Sequence, residues 1–504
     1  MTLIDPQLSA QELFTAALDL QKEQKHIEAV SYFNAVLEKA PEHFAQINAQ
    51  RFVSVWGGFK QAQDRSAWDQ YDALQRLVIM GVTQGQWFVG EATLAAPLLT
   101  NFSLLAFTQK HAEFVLNTMN TQSKPDFKHQ RPALNKKIKL GFVGADFFSQ
   151  ATAYLLTAAI AHIDRQYFEV YAYDHGEHVE DGDEYRERAE AAYDVIVPIG
   201  DMGDVEVAQR IYDDGIDVLF NIKNPASARL GVFALRPAPI QIHYLYFPGT
   251  SGMPFFDYII GDHVITPPDL DSGYAEKVLR MEGCYQPNDD QRQLPMESSR
   301  DYWDLPEDAV VLANMSQNYK ITPQMFEVWC RLLQSDHRRI LWLLSGGEEV
   351  ERHLRREAER RGIDPTRLFF SPPMGIRAHH TRLRCADVVV DTFPYGGHTL
   401  TSDALWAGTP VVTLAGTTFA SRVAASLLTS VGLASLVAWH EDEYFAKVDQ
   451  LARDAAQRHM MRKHLDDNRY VFDLFSPSSY ARRFEKLMTE TVNNHWQASR
   501  APSF

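Results

Sequence analysis

The stretch Tyr395-Gly-Gly-His398-Thr399-Leu400-Thr-Ser-Asp403 could do chemistry on a phosphate. It follows an apolar run, Ala386–Asp391, and opens an amphipathic segment that closes at Gly408 before another apolar run, Val411-Val412. That order predicts a strand, a glycine turn, a helix over about 400–407 and a further strand. A helix N-terminus presents unpaired backbone N–H groups and the positive end of its dipole, which suits a phosphate. Asp403 lies one turn further in, within reach of a sugar hydroxyl. Together these residues read as a pocket for a nucleoside diphosphate.

A second constellation is Ser316-Gln317-Asn318-Tyr319-Lys320, between the apolar run Val310–Asn314 and Pro323. Taken alone, Lys320 is a solvated loop lysine. At the carboxyl end of a strand it becomes a cation placed to neutralise a diphosphate leaving group, with Gln317 donating to a phosphate oxygen. A third is Ser371-Pro-Pro-Met374-Gly-Ile-Arg-Ala-His379-His380-Thr-Arg382. Backbone near Met374 can read a base edge, and His379 or Arg382 can stack on it or bind a phosphate. Read by themselves, His379 and His380 are an exposed pair at a helix start, and no Asp or Glu stands at a spacing that makes them zinc ligands. Phe247-Pro-Gly-Thr250-Ser-Gly252 adds amides and hydroxyls, although a tight turn also explains its glycines.

Positioning such loops takes alternating strands and helices. Strands are predicted at Ile138–Gly144, Phe168–Tyr173, Val195–Pro198, Val218–Ile222, Ile240–Leu245 and Tyr258–Gly261. After the polar separator Gln286–Gln293 they recur at Val310–Asn314, Ile340–Leu344, Leu368–Phe370, Val388–Val390 and Val411–Thr413. Helical segments fall between them, which predicts two doubly wound parallel sheets whose strand ends face a shared cleft. Ahead of them the apolar spacing is helical, and Ala17, Ala29, Phe33 and Pro41 fall at the offsets of one tetratricopeptide unit. The expected organisation is an all-α, tetratricopeptide-like domain (1–120), a linker (121–135), a first Rossmann-like domain (136–290), a second (300–475), and a C-terminal helix and tail (476–504).

The chain has 504 residues and a formal net charge of −16, with 45% hydrophobic and 23% charged residues. It is globular, and too acidic for a general nucleic-acid binder. Its three cysteines form neither a disulfide framework nor a metal spacing. No signal segment or membrane-length apolar run is visible, so a cytoplasmic protein is expected. Gly141-Phe-Val-Gly144 lacks the third glycine of a dinucleotide fingerprint, which argues against a nicotinamide cofactor.

Leu235–Gln241, Phe247–Gly252, Gln317–Ile321, His398-Thr399 with Asp403–Pro410, and Ala420–Ser426 resemble, in matching order over about 136–490, the catalytic region of the O-linked N-acetylglucosamine transferase family. That family includes bacterial protein glucosyltransferases and plant Spindly proteins. The resemblance implies a GT-B fold and an inverting transfer, without metal or cofactor, from a UDP-sugar (UDP-GlcNAc or UDP-glucose) to a protein side chain. It implies that Lys320 and Gln317 contact the diphosphate, that Met374, His379 and Arg382 hold the uridine, that His398, Thr399 and Leu400 meet the phosphates, and that Asp403 holds the ribose. It implies as partners the UDP-sugar and an acceptor protein, with the N-terminal helices as a docking surface.

The departures are local. Where the family reads Asp-Phe-x-x-His-Pro-Thr-Ser-His, this chain reads Asp146-Phe-Phe-Ser-Gln150-Ala-Thr-Ala-Tyr154. Gln150 accepts no proton at neutral pH, so either Asp146 or a substrate-side group serves as base, or little activation is needed, or the acceptor is a different group such as an amide. Ile376 stands where the family has a lysine, and Tyr395, where N-acetylglucosamine transferases carry a smaller residue, crowds an N-acetyl group. An alternative expectation follows from the missing histidines: a catalytically weak GT-B binding module that chaperones a partner glycosyltransferase. A nucleotide-sugar epimerase of the same fold is disfavoured by the matches at Leu235–Gln241 and Ala420–Ser426.

Overall fold

A computed structural model describes residues 4–85, 96–118, 125–130, 136–176, 182–223 and 229–498. Parts of the expected linker (121–124 and 131–135), and 499–504 of the tail, lie outside the described residues.

Two parallel sheets form the body of the chain. The first contains β1 (Ile138–Gly144), β2 (Phe168–Asp174), β3 (Val195–Pro198), β4 (Val218–Asn221), β5 (Ile240–His243), β6 (Tyr258–Asp262) and β7 (Lys277–Met281), in the order β3-β2-β1-β4-β5-β6-β7. The second contains β8 (Val310–Asn314), β9 (Arg339–Leu344), β10 (Leu368–Ser371), β11 (Val388–Val390), β12 (Val411–Leu414) and β13 (Val437–Ala438), in the order β10-β9-β8-β11-β12-β13. Every residue of β8 and β9 is buried, as expected for strands covered by helices on both faces. Lateral packing fixes the register: Phe142 pairs with Phe220, and their rings stack at 4.5 Å. Strands β7 and β13, which sequence periodicity missed, are edge strands of five and two residues.

In each sheet the order reverses beside the first strand, between β1 and β4 and between β8 and β11. At such a switch the connections leave in opposite directions, which opens a crevice at the carboxyl ends of the strands. Asp146 follows β1, residues 317–320 follow β8, and the glycine turn follows β11.

The N-terminal region is helical. Ala10–Lys22 and His26–Lys39 form a hairpin in which Ala17, Ala29 and Phe33 are fully buried. Ser9 and Glu12 close a capping box on the first helix. The helix Phe44–Asp64 reaches the turn Asn318–Lys320, and Trp68 meets Phe326 edge-on at 5.3 Å. Helix Asn101–Thr118 lies on the Gly249–Gly252 loop. Gly252 has φ +69°, and a methyl there would stand 2.4 Å from the Thr108 carbonyl carbon. The glycine is therefore required both by its dihedral and by the helix above it.

The last helix, Pro477–Ala498, returns to the first sheet, where Phe484 lies 5.6 Å from Phe220 and 6.3 Å from Tyr244. Among the described residues no helix is long and apolar enough to cross a membrane.

Candidate active site

Lys320 is held where the sequence placed it, but it is half-buried instead of solvated. Its Nζ donates to the Gly396 carbonyl at 3.1 Å and stands 3.8 Å from the centre of the Tyr395 ring. Burial pulls the ammonium down to about 8, with the Asp391 carboxylate opposing. Asp391 ends the segment that carries β11, and it organises the turn that follows. It accepts from the Thr392 and Gly397 amides at 2.8 and 2.6 Å and from the Thr413 hydroxyl at 2.6 Å. A methyl on Gly397 would stand 2.6 Å from Thr401 Oγ1, and one on Gly396 would press on Asp391 Oδ2 at 3.0 Å.

The turn delivers His398 to the N-terminus of helix Thr399–Trp406, where no side chain caps the helix. The His398 Nε2–H donates to the Ala420 carbonyl at 3.2 Å, and burial with the nearby Lys320 charge drives its pKa down to about 3. The ring is thus neutral, with its proton committed to Ala420. The groups of this corner that can meet an anion are Lys320 and the first-turn amides at Thr399 and Leu400. Gln317 is exposed on the same loop.

A second cluster lies deeper. Arg382 donates to His379 Nδ1 from Nε (3.1 Å) and Nη2 (2.9 Å), and from Nη1 to the Pro372 carbonyl at 2.7 Å. Its guanidinium is spent inside the protein, so Arg382 orients His379. Burial lowers Arg382 to about 10 and His379 to about 4. With Nδ1 accepting from an arginine, the His379 proton sits on Nε2, 3.6 Å from Asp403 Oδ2. His380 is fully buried and donates from Nδ1 to the Gln293 carbonyl at 2.9 Å. The two histidines are therefore not an exposed pair. Asp403 is buried and receives Arg292 Nη1 at 2.7 Å. Burial alone would raise this carboxyl, but the His380 ring, whose Nε2 lies 3.5 Å from Oδ1, and the Arg292 charge hold it below the ordinary value. Met374 is half-buried on the loop before this helix.

Across the cleft, Asp146 is ion-paired with Lys223 at 2.7 Å and accepts from Thr152 at 3.3 Å. Lys223 follows β4 and stands 4.9 Å from the centre of the Tyr246 ring. Gln150 is exposed at the start of helix Ala151–Ala161, and its side chain does not cap the helix. Tyr154 packs edge-on against Tyr185 at 4.7 Å. Burial raises the Tyr154 phenol. Thr250 is not in the cleft. It is fully buried and donates to Glu276 at 2.7 Å, so its hydroxyl is structural.

Sequence reasoning missed four residues here. Asp391, Lys223 and His175 all stand at or just past a strand's carboxyl end, a position that was legible in the sequence. His175 follows β2, beside the Asp146 loop, and its Nε2 is buried without a partner. Burial lowers its pKa, helped by Lys223 and Arg229. Arg292, by contrast, reaches Asp403 from the separator between the sheets, and no local signal marks it.

Among known proteins, the chain is 28% identical over 414 residues to the probable UDP-N-acetylglucosamine–peptide N-acetylglucosaminyltransferase SEC of Arabidopsis thaliana, covering 79% of this chain and 42% of that protein. It is 30% identical over 342 residues to the Arabidopsis SPINDLY protein of the same description, covering 66% of this chain and 37% of that protein. The chain thus spans less than half the length of these curated relatives. A solved structure of a Thermobaculum terrenum O-GlcNAc transferase superposes with a TM-score of 0.70 at 22% identity, covering 99% of this chain and 100% of that one, and so shares the fold of two Rossmann-like domains with a helical N-terminal region. The model of glycosyl transferase family 41 matches residues 92–296 and 286–484. With two parallel sheets, each reversing its strand order beside its first strand, and with most of its length matched by that model, the chain belongs to glycosyl transferase family 41.

Proposed function

We propose that this chain is an inverting, metal-independent protein glycosyltransferase of the cytoplasm that moves the sugar of a UDP-sugar onto a side chain of an acceptor protein. The observation that carries the reading is Lys320 beside the uncapped N-terminus of helix Thr399–Trp406, with Asp146 on the facing sheet. As the bond from sugar C1 to the diphosphate breaks, the leaving oxygen gains negative charge. An ammonium and fixed amide dipoles stabilise that charge without reorganising. The relatives' names point to UDP-GlcNAc. The Tyr395 ring, pinned between Lys320 and His398 (5.3 Å between ring centroids), favours the smaller UDP-glucose as a second reading. The N-terminal helices, packed on the Lys320 loop, offer the acceptor a docking surface.

The test is incubation with labelled UDP-GlcNAc and UDP-glucose, followed by intact-mass measurement of co-expressed candidate acceptors. An added hexose or N-acetylhexosamine is expected, and its mass decides between the two donors. Failure of both nucleotides to bind at millimolar concentration would sink the reading. Turnover would also remove the binding-module alternative.

Proton removal from the acceptor is assigned to the Asp146–His175 corner. Burial lowers the His175 pKa, so the ring is neutral and has an unprotonated nitrogen that can take a proton, and it stands beside the Asp146 carboxylate, which is ion-paired with Lys223 at 2.7 Å. His175→Asn is expected to lower kcat by about 10²–10⁴-fold, the usual range for a general base, with KM for the donor little changed. Asp146→Asn, if equally damaging, would shift the assignment to the carboxylate.

A further inference from the structure

The run Ala420–Ser426 lies in helix Phe419–Ser430, and the site described above uses only one of its groups, the Ala420 carbonyl. That oxygen accepts from the Gly396 amide at 3.1 Å and from the His398 ring at 3.2 Å. Both ends of the turn Gly396–His398 are therefore held by one carbonyl. The helix end that carries it is fixed by a capping box between Thr418 and Ser421.

The same helix is tied to the first domain. Phe419, Arg422 and Ser426 are spaced by three and four residues and so share one helix face. Phe419 meets the Tyr285 ring edge-on at 5.1 Å. Arg422 Nε donates to the Val264 carbonyl at 2.7 Å, and the Ser426 hydroxyl donates to Asp262 Oδ2 at 2.6 Å. Asp262 closes β6 and is 1% exposed. It also accepts from the Val264, Ile265 and Tyr285 amides at 2.9, 2.8 and 3.0 Å, which fixes the oxygen that Ser426 meets. Arg422 bonds in the other direction as well. Its Nη1 donates to the Gly416 carbonyl of the second domain at 2.8 Å, and its guanidinium lies 4.8 Å from the centre of the Trp439 ring.

A helix moves as a unit, because each backbone bond fixes a residue to one a turn away. Any shift of this helix against the first domain therefore carries the Ala420 carbonyl, Gly396 and His398 with it. Transfer joins a sugar whose diphosphate is held beyond that turn to an acceptor held by the first domain. We propose that Arg422 and Ser426 are positioning residues for this reaction: acting through the Ala420 carbonyl, they set the phosphate turn at its working distance from the Asp146 corner. The proposal rests on the UDP-sugar reading. The nucleotide itself is bound by Lys320, the first-turn amides and Asp403, all in the second domain, so losing the tie impairs turnover and spares nucleotide affinity.

The experiment measures two quantities on the full chain. One is the dissociation constant of UDP by calorimetry. The other is kcat for UDP release from UDP-GlcNAc and UDP-glucose, with water or a co-expressed acceptor taking the sugar. Arg422→Met removes the donor to Val264 at similar volume, and Ser426→Ala removes the hydroxyl given to Asp262. Each is expected to lower kcat about 10–100-fold, since a misplacement of about 1 Å can cost about 10²-fold. The UDP dissociation constant should stay within about 3-fold of wild type, with thermal melting showing a folded chain. Arg422→Lys keeps a donor for the Val264 carbonyl and should recover kcat to within about 3-fold. If Arg422→Met does not fold, Ser426→Ala decides alone, because it leaves every Arg422 bond in place. A folded Ser426→Ala with kcat within about 3-fold of wild type overturns the proposal. So does a parallel fall of kcat and UDP affinity, which would mean that the helix only shapes the donor pocket. Both results leave the donor reading standing. A wild type that releases UDP from neither sugar nucleotide overturns the donor reading and the proposal with it.

Discussion

Replacing Lys320 by methionine is expected to lower sugar transfer by about 10²–10³-fold, the usual effect of deleting one fixed donor to a developing anion. The melting temperature should not fall, because among the described residues Lys320 has no carboxylate in contact and donates one hydrogen bond, to Gly396. Methionine fills the same volume and relieves the burial of a charge. The pH dependence separates a leaving-group role from a packing role. Lys320 loses its proton near pH 8 in the folded chain, so kcat/KM should fall as pH rises through about 8. Lys320→Arg should abolish that alkaline limb even if its rate is reduced, because arginine stays charged. The sign for stability is opposite. Between about 8 and the ordinary lysine value of 10.5 the unfolded chain holds a proton that the folded chain has released, so stability at this residue rises with pH. A Lys320→Met enzyme with more than a tenth of wild-type kcat would refute the assignment.

The second large effect concerns stability. Asp391→Ala is expected to destabilise the second domain by about 3–5 kcal/mol, measured as a shift in urea midpoint at constant slope. The change strips acceptors from Thr392, Gly397 and Thr413 at once, and each donor is left buried. It also removes the one anion that opposes the depression of Lys320. The turn Gly396–His398 would lose its anchor, and donor affinity should fall with stability. Asp391→Asn keeps the shape and one acceptor oxygen, and should lose less than the alanine variant. An alanine variant within about 1 kcal/mol of wild type would show that the glycine turn is held by its neighbours and not by this carboxylate.

These two effects lie in the second domain, where the loop around Asp391 is tied at two further points: Thr322 Oγ1 donates to the Phe393 carbonyl at 3.0 Å, and Tyr444 donates to the Asp391 carbonyl at 3.0 Å. The facing half is organised differently, around the Asp146–Lys223 pair and His175 instead of the family's paired histidines.

The sequence by itself determined what is local or periodic. Apolar runs buried on both faces made β8, β9 and their neighbours readable as parallel strands, because period and burial follow directly from residue type. Lys320, the glycine turn and helix Thr399–Trp406 were readable for the same reason: chemistry-bearing residues just past a strand stand at the cleft in any doubly wound sheet. The two edge strands were not readable, because Lys277 and Arg280 interrupt the apolar pattern of the half-buried β7 and β13 has only two residues. The tertiary structure alone decided which residues meet. It turned Arg382 inward onto His379, committed the His398 ring to Ala420, and buried Thr250 under Glu276. It also drew Arg292 out of a polar connector into contact with Asp403, 111 positions further along the chain. Such pairings depend on where two sheets and their connector come to rest against one another, and no spacing within either partner's own segment encodes that.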